Sequence, residues 1–233
     1  GCQPPDKIDL MDEALKIAKE VEQVVLMVGT NSDWETEGND RVDFNLPGKQ
    51  DELIEKVLEI NPNTIIVLNT GSPINMPWVN KAKAVIQSWY AGQEYGNALV
   101  DILTGDINPS GKLPTTFPAN LSDTPAYESY PGKNLQMDYD EKLLVGYKWY
   151  DKNLVEPLFP FGHGLSYTEF EYSELKIKKD MSNNFICSYM IKNTGDTGGS
   201  EISQCYVQPN ESDNNEPIKT LQGFDKTFLN PGE

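Results

Sequence analysis

Apolar residues recur with two different periods along this chain, and the change of period divides it. Up to about residue 118, short apolar runs at 24–29, 64–69 and 84–88 alternate with stretches in which apolar residues recur every three or four positions. Such short runs, rich in Val and Ile, are typical of buried parallel strands, and the stretches beside them predict amphipathic helices. The first part is therefore predicted to be an α/β domain, a partial doubly wound α/β sandwich.

Beyond Ser166 the apolar residues alternate with polar ones, as they do in half-buried strands. The alternation predicts strands at 170–172, 175–177, 185–191 and 202–207, with a Gly-rich turn at 193–199. Between the two patterns, Tyr and Trp residues are spread through sequence rich in Pro, Gly and Asp, which predicts an ordered linker. The predicted domains are 1–118, α/β; 119–165, linker; and 166–233, an incomplete all-β sandwich.

Both predicted domains have fewer elements than independent domains of their class. A doubly wound sheet usually has five or six strands, and a seven-stranded sandwich takes about 100 residues. The sequence therefore predicts a segment of a longer polypeptide. Such a segment is expected to be inactive on its own.

The amino-acid composition and net charge indicate which classes of binding partner this chain can have. The 233 residues include 38% hydrophobic residues, which suits a globular core, and carry a formal net charge of −17. Nucleic acids and anionic membranes would repel such a chain, so neither is expected as a partner. No run approaches the roughly 18 apolar residues of a membrane span. A neutral ligand is therefore the partner that the net charge favours.

The candidate chemistry lies in the acidic stretch that follows the first predicted strand. Asn31–Arg41 contains Trp34, Glu35 and Glu37 and ends with Asp40 and Arg41. Ligands of parallel sheets bind at the carboxyl ends of the strands, and paired carboxylates beside an aromatic ring are parts that sugar chemistry uses. The alternative is a solvated acidic loop, in which Asp40 and Arg41 pair with each other to fix the backbone.

Three ordered motifs resemble glycoside hydrolase family 3, the β-glucosidase family. The first is E-G-N-D-R at 37–41 with N-L-P-G-K-Q at 45–50. The second is W-Y-A-G-Q-E-Y-G-N-A at 89–98, continued by G-D-I-N-P-S-G-K-L-P at 105–114. The third is F-P-F-G-H-G-L-S-Y-T at 159–168. The resemblance implies that 166–233 is the start of a fibronectin type III-like domain and that a (β/α)8 barrel precedes the sandwich.

The resemblance implies a retaining, exo-acting β-glucosidase. Its Asp nucleophile would lie on the barrel, outside this chain, and its acid/base Glu would lie in the acidic stretch. The E-G-x-D-R pattern points to Glu37, the first choice, whereas an E-T-x-G pattern points to Glu35. Trp34, Asp40 and Arg41 are the implied substrate contacts. No metal and no cofactor are expected, the partners are a β-glucoside or oligosaccharide and the missing barrel, and self-association is left open.

Three other functions compete with this interpretation. A non-catalytic carbohydrate-binding or scaffolding module and a β-xylosidase would share the architecture, and a flavodoxin-like nucleotide-binding domain would share the βαβ pattern. The acidic loop disfavours the nucleotide, because phosphate needs positive charge. The compartment stays open, with a secreted or periplasmic location slightly preferred.

Two residue types remain to be assigned. His163, the sole histidine, is expected to have a structural role because the family's chemistry does not use it. The three cysteines, Cys2, Cys187 and Cys205, lack metal-site spacing. Cys187 and Cys205 are interpreted as core residues on two strands, and a bridge between them is left open.

Overall fold

The structure is a computed structural model that describes residues 10–210 and 216–233. The chain divides into two compact units, Gly1–Gly96 with Phe117–Tyr127 and Asn97–Thr116 with Glu128–Glu233. Cys2 lies outside the described residues. None of the described helices is long and apolar enough to cross a membrane.

A parallel sheet forms the centre of the first unit, as predicted. Its strands are β1 (Val24–Gly29), β2 (Thr64–Asn69) and β3 (Ala84–Gln87), and β2 pairs with both of the others. Ile66, Val67 and Leu68 of β2 are wholly buried. A continuous apolar run is what a central strand covered on both faces requires.

The predicted helices of this unit are confirmed, with small shifts of their ends. α1 spans Met11–Glu20, and α2 spans Gln50–Ile60, beginning three residues before Leu53, the first residue of its apolar pattern. Ile54, Val57 and Leu58 of α2 are buried. Just beyond α2, the Asn61 side chain donates hydrogen bonds to the carbonyls of Ala18 (3.0 Å) and Val21 (2.9 Å), which ties together the ends of the two helices.

The sequence pattern also predicts a helix at about 93–103, and the structure contains it as α3, Tyr95–Thr104, which begins two residues later. The segment interpreted as a linker contains an α-helix that the sequence pattern did not predict, α4 (Tyr147–Asn153). It was missed because its seven residues, Y-K-W-Y-D-K-N, show no clear apolar stripe. Tyr150 is nevertheless buried.

The second unit contains two antiparallel strand pairs. β4 (Phe170–Lys179) pairs with β5 (Phe185–Asn193), and β6 (Gly199–Val207) pairs with β7 (Thr220–Leu229). The two short runs predicted at 170–172 and 175–177 are one strand, with an irregular register between Ser173 and Lys176. β7 was not predicted.

The family motifs at 105–114 and 159–168 meet in this unit. The Leu113 amide donates to the His163 carbonyl and the Gly162 amide donates to the Leu113 carbonyl, both at 2.8 Å. Lys112 Nζ donates to the Gly164 carbonyl at 2.8 Å and forms an ion pair with Glu201 at 3.0 Å.

The His163 ring stacks on Phe159, with centroids 5.0 Å apart. Burial and then the Lys112 charge lower the pKa of His163. These contacts support the expected structural role of His163.

Asn193 is the polar centre of the strand pairs. Its side chain is 0% exposed, and it donates hydrogen bonds to the carbonyls of Thr197 (2.8 Å) and Leu229 (3.1 Å). It accepts bonds from the Thr168 hydroxyl (2.7 Å) and the Gly195 amide (3.1 Å). One side chain thus holds the turn after β5 and the end of β7.

We expect Asn193→Ala to lower the free energy of unfolding by about 3 kcal/mol, because it leaves several buried polar groups without partners. Urea unfolding followed by circular dichroism measures the change. Asn184→Ala is the matched control: Asn184 is exposed and bonds only within its turn to Asp180, so we expect a loss within about 0.5 kcal/mol. Equal losses in the two variants would contradict the role given to Asn193.

Candidate active site

The acidic stretch lies where three loops of the first unit converge. Because β1, β2 and β3 are parallel, their carboxyl ends share one edge of the sheet. The loop after β1 contains Glu35, the loop after β2 contains Gly71 and Ser72, and the segment after β3 contains Tyr90. The prediction that the acidic stretch follows a parallel strand is confirmed, but the expected burial of that strand is not: in β1 Val28 is buried, whereas Val25 and Met27 are exposed.

The Glu35 carboxylate joins these three loops. It accepts hydrogen bonds from the Tyr90 hydroxyl at 2.6 Å, the Ser72 hydroxyl at 3.0 Å and the Gly71 amide at 3.1 and 3.2 Å. The Tyr90 hydroxyl also lies 2.6 Å from Thr30 Oγ1, at the start of the loop. Donors from several elements fix the carboxylate, so its position does not depend on its own loop alone.

Local backbone features make this convergence possible. A Cβ on Gly71 would lie 2.6 Å from Glu35 Oε2 and 2.8 Å from the Tyr90 ring, so only glycine admits both neighbours. Trp89 has a φ of 53°, in the left-handed region that costs a non-glycine residue energy. Its ring packs edge-on against Phe117 with centroids 6.1 Å apart, and this contact accompanies the turn that carries Tyr90.

The hydrogen bonds also set the charge of the site. Partial burial by itself raises the pKa of Glu35, but the bonds from Tyr90, Ser72, Thr30 and Gly71 together outweigh it, and the pKa lies below its ordinary value. Burial and then the Glu35 carboxylate raise the pKa of Tyr90, which keeps the phenol protonated as a donor. The Glu35 carboxyl is therefore ionised near neutral pH in this chain.

The start of the acidic loop is anchored to the sheet by the L-P-G-K-Q motif. The Gln50 side chain accepts a bond from the Gly29 amide (2.8 Å) and donates to the Gly29 carbonyl (2.9 Å) and the Pro47 carbonyl (3.0 Å). Next along the chain, Asn31 Oδ1 accepts the amides of Asp33 (3.0 Å) and Trp34 (3.1 Å). These bonds give the loop a defined turn before Glu35.

The hydrogen bonds described for the Glu35 carboxylate involve none of the other predicted site residues. Glu37 and Asp40 are exposed, and Arg41 is half-buried with one guanidinium nitrogen that has no hydrogen-bond partner among the described residues. Trp34 is half-buried, and its Nε1 donates to the Asn45 carbonyl at 3.1 Å. The structure thus brings Glu35 together with residues from other loops, whereas Glu37 and Asp40 face solvent.

Four residues around Glu35 were not among the predicted site residues: Thr30, Gly71, Ser72 and Tyr90. One signal was available, because each follows the end of a predicted parallel strand. The rule that placed the acidic loop at the carboxyl edge applies equally to the ends of β2 and β3.

Comparisons with known proteins agree with the architecture. The glycosyl hydrolase family 3 C-terminal domain matches residues 8–167, and a fibronectin type III-like domain matches residues 201–233. The chain is 44% identical over 233 residues to "Probable beta-glucosidase I" of Aspergillus oryzae and 47% identical over 228 residues to "Thermostable beta-glucosidase B" of Acetivibrio thermocellus. Each match covers 97% of this chain but only 28% and 30% of the relative, so the chain spans less than a third of their length.

Solved structures give the same result. The β-glucosidase of Kluyveromyces marxianus in complex with glucose matches with a TM-score of 0.91 and 42% identity, over 97% of this chain and 28% of that one. β-Glucosidase 3B of Thermotoga neapolitana in complex with glucose matches with a TM-score of 0.87 and 37% identity, over 99% of this chain and 34% of that one. Since the family match covers more than half of its residues, this chain belongs to glycoside hydrolase family 3 and contains the C-terminal domain of that family.

Proposed function

We propose that this chain is part of a retaining, exo-acting β-glucosidase, and that its acidic loop supplies the general acid/base carboxyl. The observation that carries the proposal is the Glu35 carboxylate, fixed at the carboxyl edge of the sheet by donors from two other loops. Relatives that share more than 40% of its residues are named β-glucosidases. The structures of two of the relatives named above were determined in complex with glucose.

A retaining glycosidase needs two carboxyl groups about 5 Å apart. One attacks the anomeric carbon while the other protonates the departing oxygen, and the second group then removes a proton from the water that releases the sugar. The family resemblance implies that the nucleophile is an Asp on a barrel outside this chain. The acidic loop would provide the second group.

Between the two candidate carboxyls, the geometry favours Glu35, although the E-G-x-D-R pattern points to Glu37. An acid/base group must be held within hydrogen-bond reach of the reacting oxygen, and rigidly supported side chains meet that demand best. Glu35 is held from several sides, whereas Glu37 is exposed on the same loop. In this proposal Tyr90 is a positioning residue.

The lowered pKa of Glu35 is compatible with both halves of the reaction. A nucleophilic carboxylate about 5 Å away, in a site closed to water, would raise the pKa of Glu35 and favour its protonated, acid form. Once the nucleophile is bonded to the sugar its charge is gone. The hydrogen bonds from Tyr90 and Ser72 then favour the ionised form that acts as base.

We expect the 233-residue chain alone not to hydrolyse an aryl β-glucoside, because it supplies only one of the two carboxyls. The longer polypeptide that contains this segment behind a barrel is expected to release the aryl group. Release is followed by absorbance with both proteins at equal concentration. Turnover by the short chain that disappears in its Glu35→Gln variant would overturn the division of the site between two domains.

In the longer polypeptide we expect Glu35→Gln to slow hydrolysis of substrates with poor leaving groups by roughly 10² to 10⁴-fold, the usual contribution of general acid–base catalysis. Activated aryl glucosides should lose less, because their phenolate needs little protonation. Their glycosyl-enzyme should accumulate, since its hydrolysis lacks a base. Added azide, a nucleophile that needs no base, should restore turnover and yield a glucosyl azide.

Glu37→Gln is the matched control, two residues away on the same loop. We expect it to keep rates near those of the unaltered enzyme and to show no azide effect. Azide rescue of Glu37→Gln alone would transfer the role to Glu37. Near-normal rates in both variants would reject the catalytic interpretation of the whole loop.

Tyr90→Phe tests the support of Glu35. A hydrogen bond donated to a carboxylate favours its charged form, so its removal raises the pKa of Glu35. The acid works while protonated, and the alkaline limb of the kcat/KM profile should therefore move to higher pH by up to about one unit. Tyr95→Phe is the control, because it removes the hydroxyl of a tyrosine that contacts Ser88 (3.0 Å) rather than Glu35. Equal profiles in the two variants would contradict the coupling of Tyr90 to the acid.

A further inference from the structure

Two cysteines of the second unit lie on facing surfaces of its two strand pairs. Alternate residues of a strand share a face, so Cys187, Tyr189 and Ile191 lie on the same face of β5. Tyr172 of β4 is paired with Ile191 and shares that face, and its ring lies 5.8 Å from that of Tyr189.

The same surface contacts β6 through Tyr172. Its hydroxyl lies 3.1 Å from Ser203 Oγ and donates to the Glu201 carboxylate at 3.2 Å. Glu201, Ser203 and Cys205 occupy alternate positions of β6 and therefore share the face that β4 and β5 contact. Cys187 and Cys205 thus point into the same space.

The two cysteines also lie at the same distance along their strands from the end where β5 meets β6. The end of β5 meets the start of β6, because Asn193 Nδ2 donates to the Leu229 carbonyl and Leu229 is paired with Gly199. Cys187 comes six residues before Asn193, and Cys205 comes six residues after Gly199. At about 3.3 Å per residue, each lies roughly 20 Å from that common end.

The thiols interact with each other in this position. Burial, and then the Cys187 thiol, raises the pKa of Cys205. Both cysteines are free thiols, Cys187 exposed and Cys205 half-buried. The sequence-based interpretation of both as core residues is therefore wrong for Cys187, whose side chain is open to solvent because β5 has little covering it.

We propose that Cys187 and Cys205 form an intramolecular disulfide that joins the two strand pairs when the chain meets a small-molecule disulfide such as oxidised glutathione. The exposed Cys187 thiolate attacks one sulfur of the reagent, which breaks its S–S bond and releases one glutathione thiolate. Cys205 then loses its proton to solvent and attacks the Cys187 sulfur. The second glutathione leaves, so that two protein thiols are oxidised and one glutathione disulfide is reduced to two thiols.

The cross-link would act as a covalent staple between β5 and β6. It closes a short loop, residues 188–204, and constrains the unfolded chain far more than the folded one. We expect the folding equilibrium constant of the second unit to rise on the order of 10²-fold on oxidation.

The experiment treats the full chain with oxidised glutathione, under native conditions and in guanidinium chloride, and maps the disulfides by mass spectrometry of unreduced peptides. The native chain should give the Cys187–Cys205 link, with Cys2 left as a glutathione adduct. The unfolded chain should give a mixture of all the pairings that three cysteines allow. The same mixture under native conditions, or a stable glutathione adduct on Cys187, would overturn the proposal.

A variant with Cys205→Ser and Ser203→Cys tests whether position decides the pairing. The thiol stays on the same face of β6 but moves two residues toward Tyr172, at a site that is 6% exposed. We expect its native linkage to Cys187 to form at least tenfold more slowly than in the unaltered chain, since the reacting sulfurs no longer lie opposite each other. Equal rates would show that chain proximity alone drives the pairing, and the proposal would fail.

Discussion

The hydrogen bonds to the Glu35 carboxylate depend on one geometric constraint, the parallel alignment of β1, β2 and β3. Parallel strands bring three carboxyl ends to one edge, and the loops that follow must share the space above it. A negative carboxylate there needs donors, and the loops supply a backbone amide and two hydroxyls. Gly71 matters for the same reason, because a side chain at that position would occupy the place of the carboxylate.

In the proposed function, the same carboxylate would serve two steps of a reaction in one arrangement. Hydrogen bonds favour its ionised form, whereas burial and a nearby like charge favour its protonated form. A retaining glycosidase changes the second influence during its cycle, because its nucleophile loses its charge on bonding to the sugar. An acid/base group held by several donors can therefore alternate without moving.

In the second unit, two amide side chains, the half-buried Asn108 and the buried Asn193, bond to backbone groups of turns that strand pairing leaves without partners. Asn108 accepts the Ser166 hydroxyl and the Tyr167 amide, both at 2.9 Å, and donates to the Gly198 carbonyl at 3.2 Å. Asn193 does the same for the turn after β5. Turns expose backbone groups that no ladder satisfies, and one amide side chain offers both donors and an acceptor. These two residues help to fix the turns at the ends of the strand pairs.

The sequence by itself determined the elements whose hydrophobic period is strong, namely the three parallel strands and the helices beside them, together with the family. It also located the acidic loop, because its place after the first predicted strand follows from the order of residues. The sequence did not predict α4, which is too short for a period to register, or β7, whose Gly223 and Asp225 are unusual in a strand.

Only the tertiary structure decided what depends on contacts between distant residues. Glu35 and Glu37 are two residues apart and chemically identical, and only the loops after β2 and β3 make their surroundings different. The facing thiols of Cys187 and Cys205 likewise follow from the packing of two strand pairs that the order of residues does not specify. Local pattern fixes the elements because it reflects nearest neighbours along the chain, whereas the charge of a carboxyl or the reach of a thiol depends on neighbours in space.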